Sequence, residues 1–382
     1  MNRYFDNAAT THPKPETVYR AVDRTLRETG ASPGRGGYRP AMDAARLLFE
    51  ARETAAAFFG IADSSRLVFT ASATEALNLA LFGLIRPGDR IVTSTIEHNA
   101  VTRPLRALQD RGAEVIRVQA DRQGFVHPAG IRDACRSGTR LVVLSHCSNV
   151  TGTRQAIEEI GPWCRRNGIL LLVDAAQSAG LFDIDVEAMG IDLLAAPGHK
   201  GLLGPPGTGL LYLREGLCPQ PLMFGGTGGN SASDLPPEEL PERLESGTVN
   251  LPGLAGLKAG IEFLLDRGLA SVRSHEMELM RQLIDGLQEI PGILLYGPLE
   301  TARQGSALSI NLKGRDPSTV AFALDQEHQV CVRAGLHCAP DAHRTIDTFP
   351  HGTVRLSPGI FHSGGDIDYL LDAVRDIAGR KN

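Results

Sequence analysis

The chain has only five lysines: Lys14, Lys200, Lys258, Lys313 and Lys381. Four of them lie in helical, polar or turn-like contexts that predict exposure to solvent. Lys200 differs. It sits in Ala196-Pro197-Gly198-His199-Lys200-Gly201, directly after an apolar run of strand length. An amine at the mouth of a packed sheet is partly desolvated, which lowers its pKa and makes it a better nucleophile. Attack on an aldehyde to form a Schiff base needs such an amine. A second nucleophile candidate is Cys338, in Arg333-Ala334-Gly335-Leu336-His337-Cys338-Ala339-Pro340. Gly335 and Pro340 mark a loop, so the thiol is expected to be accessible, and Arg333 and His337 beside it would favour the thiolate. The bland alternative is a chance surface cysteine.

Polar residues placed after apolar runs could serve these nucleophiles. Asp174 ends Leu172-Val173-Asp174-Ala175-Ala176-Gln177. A carboxylate there needs a partner, because an unpaired buried charge is costly. A protonated pyridine nitrogen would be one, and Gln177 could donate to the ring oxygen. A helix cap is the competing role for Asp174. Thr70-Ala71-Ser72-Ala73-Thr74-Glu75 joins a strand to a helix. Small residues let its N–H groups, with the Thr74 hydroxyl, approach an anion at the helix N-terminus, and a plain N-cap would occupy the same place. His98 could stack on an aromatic ring and relay protons, or simply begin a helix. Asn149 could bond a ring substituent or serve a turn. Arg355, in Thr353-Val354-Arg355-Leu356-Ser357, could clamp a carboxylate at two points or make a surface ion pair. Gly204-Pro205-Pro206-Gly207-Thr208-Gly209 looks like a phosphate loop, but no Gly-Lys-Ser/Thr closes it and an ordinary turn is favoured.

The elements that must position these residues alternate. Leu67–Thr70, Arg90–Ser94, Glu114–Val118, Leu141–Leu144, Ile169–Val173, Leu193–Ala196 and Gly209–Tyr212 read as strands, with helices at Thr74–Leu84 and up to Leu108. That alternation predicts a mostly parallel sheet covered on both faces, with ligands at the carboxyl ends of its strands. A turn-rich loop covers Phe224–Asn230. Leu254–Arg267 reads as a connecting helix, Ala307–Leu312 and Val330–Arg333 as strands of a smaller second domain, and Asp366–Ile377 as a closing amphipathic helix. A length of 382 residues suits two domains. The formal charge of −5 and the lack of a dense basic stripe argue against nucleic-acid binding. The apolar runs are too short to span a bilayer, and no signal-peptide pattern opens the sequence. Six scattered cysteines form no C-x-x-C pair, which fits free thiols in the cytoplasm.

Together these segments resemble the cysteine desulfurase branch of the class V aminotransferases. Phe5-Asp6-Asn7-Ala8-Ala9-Thr10-Thr11 is similar to the family's N-terminal signature, Ala73-Thr74-Glu75 to its phosphate-seat turn and Glu97-His98 to its ring-stacking histidine. Asp174-Ala175-Ala176-Gln177 is similar to its pyridine-binding segment, Gly198-His199-Lys200 to its cofactor lysine and Arg333 to Ala339 to the short catalytic-cysteine loop of group II members. The motifs run in the family's order over nearly the whole chain. The resemblance implies an α/β chain of the pyridoxal-phosphate (PLP) fold type I: a large domain over 15–250 with a mostly parallel mixed sheet, and a smaller α/β domain formed by 1–14 and 251–382. It implies pyridoxal 5'-phosphate held by Ala73, Thr74, His98, Asn149, Asp174, Gln177, His199 and Lys200. Ser246-Gly247-Thr248 would reach the phosphate of the neighbouring subunit, so a homodimer is implied, with Thr248 in the cofactor site. Lys200, Cys338 and His98 would be catalytic, with Asn149 and Arg355 binding the substrate. No metal is implied. The implied reaction converts L-cysteine to L-alanine and leaves a persulfide on Cys338 for a possible sulfur-acceptor protein. The alternatives are a selenocysteine lyase, another class V aminotransferase or β-lyase, and a non-catalytic sulfur carrier. Two departures stand out. Pro197 lies where group II enzymes carry a phosphate-binding serine, and Leu356-Ser357-Pro358-Gly359-Ile360-Phe361-His362-Ser363 replaces an expected tyrosine-asparagine-threonine turn.

Overall fold

The structure is a computed structural model that describes residues 3–34, 36–227 and 233–380. Lys381 and part of the loop expected at Phe224–Asn230 lie outside the described residues. The chain opens with α1 (Glu16–Arg24) and α2 (Arg39–Phe58), then alternates: β1 (Leu67–Thr70), α3 (Ala73–Leu84), β2 (Arg90–Ser94), α4 (Asn99–Asp110), β3 (Glu114–Val118), α5 (Pro128–Ala134), β4 (Thr139–Ser145), α6 (Ile157–Arg166) and β5 (Leu170–Asp174). β6 (Leu193–Pro197) and β7 (Gly209–Leu213) complete this series.

These strands form a seven-stranded sheet in the order β1-β7-β6-β5-β4-β2-β3. The pairs among β3, β2, β4, β5 and β6 are parallel, and β7 runs antiparallel to both β6 and β1. Its middle strands are buried on both faces, which is why β4 and β5 read as unbroken apolar runs. The strand period of two still sorts their side chains. Val142, Leu144, Leu171 and Val173 join the core on one face. Leu141, Val143, Leu170 and Leu172 join the core on the other.

A second, antiparallel sheet has the order β10-β11-β9-β8. It is reached through α7 (Leu251–Arg267) and α8 (Leu269–Gln288), and built from β8 (Ile293–Tyr296), β9 (Leu308–Leu312), α9 (Pro317–His328), β10 (Arg333–Gly335), α10 (Pro340–Thr345), β11 (Thr353–Leu356) and α11 (Gly364–Gly379). The expected connecting helix is α7, and it ends at Arg267 as expected. Gly268, at φ 76°, breaks it, and the long helix α8 follows at once. The strand expected at Val330–Arg333 begins at Arg333 instead. Val330 is core packing just after the α9 cap, where Gln329 turns at φ 56°, and Cys331 bridges to Tyr4. The N-terminal segment therefore runs beside this second sheet, and a further bridge links Asp6 to Ser357. No helix among the described residues is long and apolar enough to cross a membrane.

Candidate active site

Six of the seven strands of the large sheet point the same way, and their carboxyl ends form one rim. Ser72, Ala73 and Thr74 follow β1, His98 follows β2, Asn149 follows β4, Asp174 closes β5, and His199 and Lys200 follow β6. These residues and Gln177 line one cavity. Glycine places the lysine. A Cβ on Gly198 would lie 2.1 Å from Thr208 Oγ1, and one on Gly201 would lie 2.3 Å from the Ala179 carbonyl. The Gly204–Gly209 loop lines none of this cavity. It is a turn between β6 and β7, with Asn250 Nδ2 donating to Gly207 O at 3.1 Å.

Burial holds the Lys200 amine down to about 8, against the opposing pull of the Asp174 charge. Asp174 is 4% exposed. Its carboxyl is raised by burial, while a bond from Ala176 N to Oδ1 at 2.9 Å and the Lys200 charge work the other way. His98 is the N-cap of α4, and its Nδ1 accepts from Ala100 N at 3.0 Å. That bond assigns the neutral ring proton to Nε2. Burial, then the Lys200 charge, lowers the ring to about 4, so it is neutral near pH 7. The neighbour of His98 in the chain, Glu97, is fully buried and accepts from Ser94 Oγ and from Ser145 N and Oγ. Burial pushes Glu97 up to about 7.

The turn after β1 is a reciprocal N-cap, the competing role that the sequence offered for it. Ser72 caps α3, its Oγ accepting from Glu75 N at 3.2 Å, and Glu75 Oε2 accepts in return from Ala71 N at 2.7 Å. A Cβ on Gly209 would lie 2.6 Å from Ser72 C, so only glycine there lets the turn sit this close to β7. His199 Nδ1 is buried without a hydrogen-bond partner on this rim. Gln177 Nε2 donates to Ala8 O at 2.9 Å. Thr248 is exposed and is not among the cavity's residues. Its segment is anchored by Glu245, whose carboxylate takes Arg52 Nη1 and Nη2 at 2.6 and 2.8 Å and Phe69 N at 2.6 Å.

Cys338 is exposed at the edge of this cleft, on the wall of a groove shared with Thr74 and His98. Both His337 (φ 47°) and Cys338 (φ 59°) are left-handed, a conformation costing roughly 1–2 kcal/mol per non-glycine residue. Three bonds hold this turn: Ala339 N to Leu336 O at 2.8 Å, Asn99 N to Cys338 O at 2.7 Å, and Asn149 Nδ2 to His337 O at 2.7 Å. The expected help from His337 is absent. Its ring is buried, its Nε2 bonds Thr353 O at 3.1 Å, and burial with the Arg355 charge drives it down to about 2. A neutral ring has no charge to lend a thiolate.

Arg355 is not on the surface. It is 2% exposed, with Nη2 on Asp6 Oδ1 at 2.6 Å and Nη1 on Asn149 O at 3.2 Å. The same N-terminal segment then reaches the lysine. The His199 carbonyl accepts from Thr11 N at 3.1 Å, Thr10 Oγ1 at 3.1 Å, Thr11 Oγ1 at 3.2 Å and Lys14 Nζ at 2.7 Å. Lys14 therefore departs from its expected place in solvent, and burial lowers its amine to about 7. Sequence reasoning singled out neither Lys14 nor Ser145. Ser145 carried a signal, a hydroxyl at the end of a buried strand; Lys14 carried none beyond the neighbouring prolines.

The strand ends of an open α/β sheet thus gather a buried lysine, a buried carboxylate and a capped helix start in one cavity, with a buried arginine bonded to the Asn149 carbonyl of its wall. The class-V aminotransferase family model matches residues 3–370, and the chain belongs to that family. A probable cysteine desulfurase of Methanothermobacter thermautotrophicus is 40% identical over 98% of this chain and 94% of its own. One of Pyrococcus abyssi is 33% identical over 98% and 94%. The apo structure of a cysteine desulfurase from Thermococcus onnurineus NA1 superposes with a TM-score of 0.91 at 32% identity, covering 98% of this chain and 94% of that one. The cysteine desulfurase CsdA of Escherichia coli gives 0.86 at 28% identity, over 98% and 94%. The fold is thus the PLP fold type I expected from the sequence.

Proposed function

We propose that this chain is a PLP-dependent cysteine desulfurase, converting L-cysteine to L-alanine and holding the sulfur as a persulfide on Cys338. One observation carries the proposal: an exposed thiol stands on a pinned turn at the edge of the cleft that encloses Lys200. The cleft fits the cofactor. His199 Nδ1 is buried and unpartnered, the glycine-backed turn at Ser72 can seat a phosphate, and Asp174 is a buried carboxylate suited to a pyridinium. Ala73, Thr74 and His199 would hold the phosphate end, Asp174 and Gln177 the ring, and Asn149 a ring substituent. His98 would lie against the ring face, and Lys200 would bind the aldehyde. When bound there, PLP supplies an aldehyde and an electron-accepting ring.

The chain's own groups do the rest. Arg355 and Asn149 hold the substrate carboxylate. Lys200, neutral more readily than an ordinary lysine, moves the α-proton. Neutral His98 can assist at Nε2. The Cys338 thiolate bonds to the substrate sulfur. The carbon–sulfur bond breaks with its electron pair left on carbon, and the remainder leaves as alanine after taking up a proton. A homodimer in which Thr248 reaches the neighbour's phosphate belongs to this proposal. It is supported by the exposure of Thr248 and by exposed apolar residues Met42, Phe49, Met223 and Phe224. So do a large domain at 15–250, a small domain at 1–14 and 251–382, a cytoplasmic setting suited to six free thiols, and transfer to a sulfur acceptor. The test is an absorbance scan with added PLP, followed by alanine and sulfide assays with L-cysteine. A visible cofactor band with both products is expected. Cys338→Ser should keep the band and lose the sulfide. A band without sulfide in the unmutated protein would move the activity elsewhere in the family.

A further inference from the structure

Both groups assigned to the substrate carboxylate already hold partners within the chain, while Arg355 Nε is buried without one. Arg355 Nη2 meets the Asp6 carboxylate at 2.6 Å, and Asn149 Nδ2 meets the His337 carbonyl at 2.7 Å. The two sides of the ion pair are unequal. The Arg355 side chain is 2% exposed and that of Asp6 19%. Arg355 is further fixed by Nη1 on Asn149 O at 3.2 Å. The Asp6 backbone is fixed too, through Asn7 N to Ser357 O at 3.2 Å and the Asp6–Ser357 bridge. Of the two side chains, that of Asp6 is the one with access to solvent.

We propose that Asp6 is a specificity-determining placeholder, occupying Arg355 until an α-amino acid carboxylate displaces it. The idea rests on Arg355 being the carboxylate clamp. Arg355 and Asp6 together are neutral, so an arriving carboxylate meets repulsion from Asp6 as well as attraction from the guanidinium. A simple anion offers only one contact and does not displace Asp6. An amino acid whose carboxylate also takes the second Nδ2 hydrogen of Asn149, leaving the His337 bond in place, and whose amine reaches the cofactor aldehyde, gains enough to do so. Asp6 thereby sets a threshold that favours α-amino carboxylates over acetate-like anions.

The test uses the PLP-loaded protein, with L-alanine titrated against the cofactor's visible band and acetate as competitor. Asp6→Asn keeps the shape and removes the charge. It is expected to lower the apparent Kd for L-alanine by roughly tenfold or more, since a competing buried ion partner is gone. Acetate should compete in the variant and leave the parent protein unaffected. Equal or weaker alanine binding by Asp6→Asn would overturn the proposal, making Asp6 a fixed orienting partner of Arg355. If Asp6→Asn fails to fold, Asp6→Ser carries the same expectation and the same overturning result. Arg355→Lys separates the two levels. If it binds L-alanine like the parent, the clamp assignment itself fails, whatever Asp6 does.

Discussion

A lysine reacts with an aldehyde only in its neutral form, and burial makes that form available to Lys200. With its amine at about 8, about a tenth of Lys200 is neutral at pH 7. At an ordinary value near 10.4 the share is below about one in a thousand. The shift is downward, so the reactive fraction grows as pH rises through 8 and then saturates. The rate at which cofactor-free protein takes up PLP should climb between about pH 7 and 8.5 and level off. A rate still climbing at pH 10 would mean that the cleft does not depress this amine. Lys200 and Asp174 were legible in the sequence because each is an ionisable residue closing an apolar run, a placement that demands an explanation. Lys14 was not, because its setting is created by a main-chain carbonyl 185 residues away. His337 misled for a related reason. Adjacency to Cys338 in sequence says nothing about which way a ring turns, and this one faces Thr353.

At the scale of elements, the large sheet was readable because its strands are buried on both faces and so appear as uninterrupted apolar runs. The second sheet was harder. Its strands are short, and β10 is set by pairing with β11 rather than by its own apolar content: Arg333, Ala334 and Gly335 sit opposite Arg355, Val354 and Thr353. The Arg52–Glu245 pair joins α2 and β1 to the segment bearing Thr248, and was invisible because its partners are 193 residues apart. Both side chains are nearly buried, at 7% and 8% exposure. Removing one partner strands the other's charge, so Glu245→Ala should lower unfolding free energy by roughly 3–5 kcal/mol in urea. The double variant with Arg52→Ala should lose less than the two single losses combined. A loss below about 1 kcal/mol from Glu245→Ala would place the pair in effective contact with water.

At the scale of the whole molecule, the site is assembled from segments far apart in the chain, and the proposed dimer extends that to two chains. Thr248→Glu, which would set a carboxylate against the phosphate, and Lys200→Ala should each be inactive alone. Mixing them under subunit exchange should restore sulfide release, because one site of each hybrid dimer keeps both native residues. No recovery in verified hybrids would place Thr248 outside the neighbour's site. The turn at Cys338 carries one more consequence. Its two left-handed residues are not a conformation the chain adopts unaided. They are held by Asn99 and by Asn149, the latter 188 residues from His337. Such a turn closes only after α4 and the loop following β4, which carry those two asparagines, have been set in place by the sheet. The newly made chain therefore bears an ordinary, wandering thiol, and Cys338 gains its fixed aim only once the rest of the fold is in place.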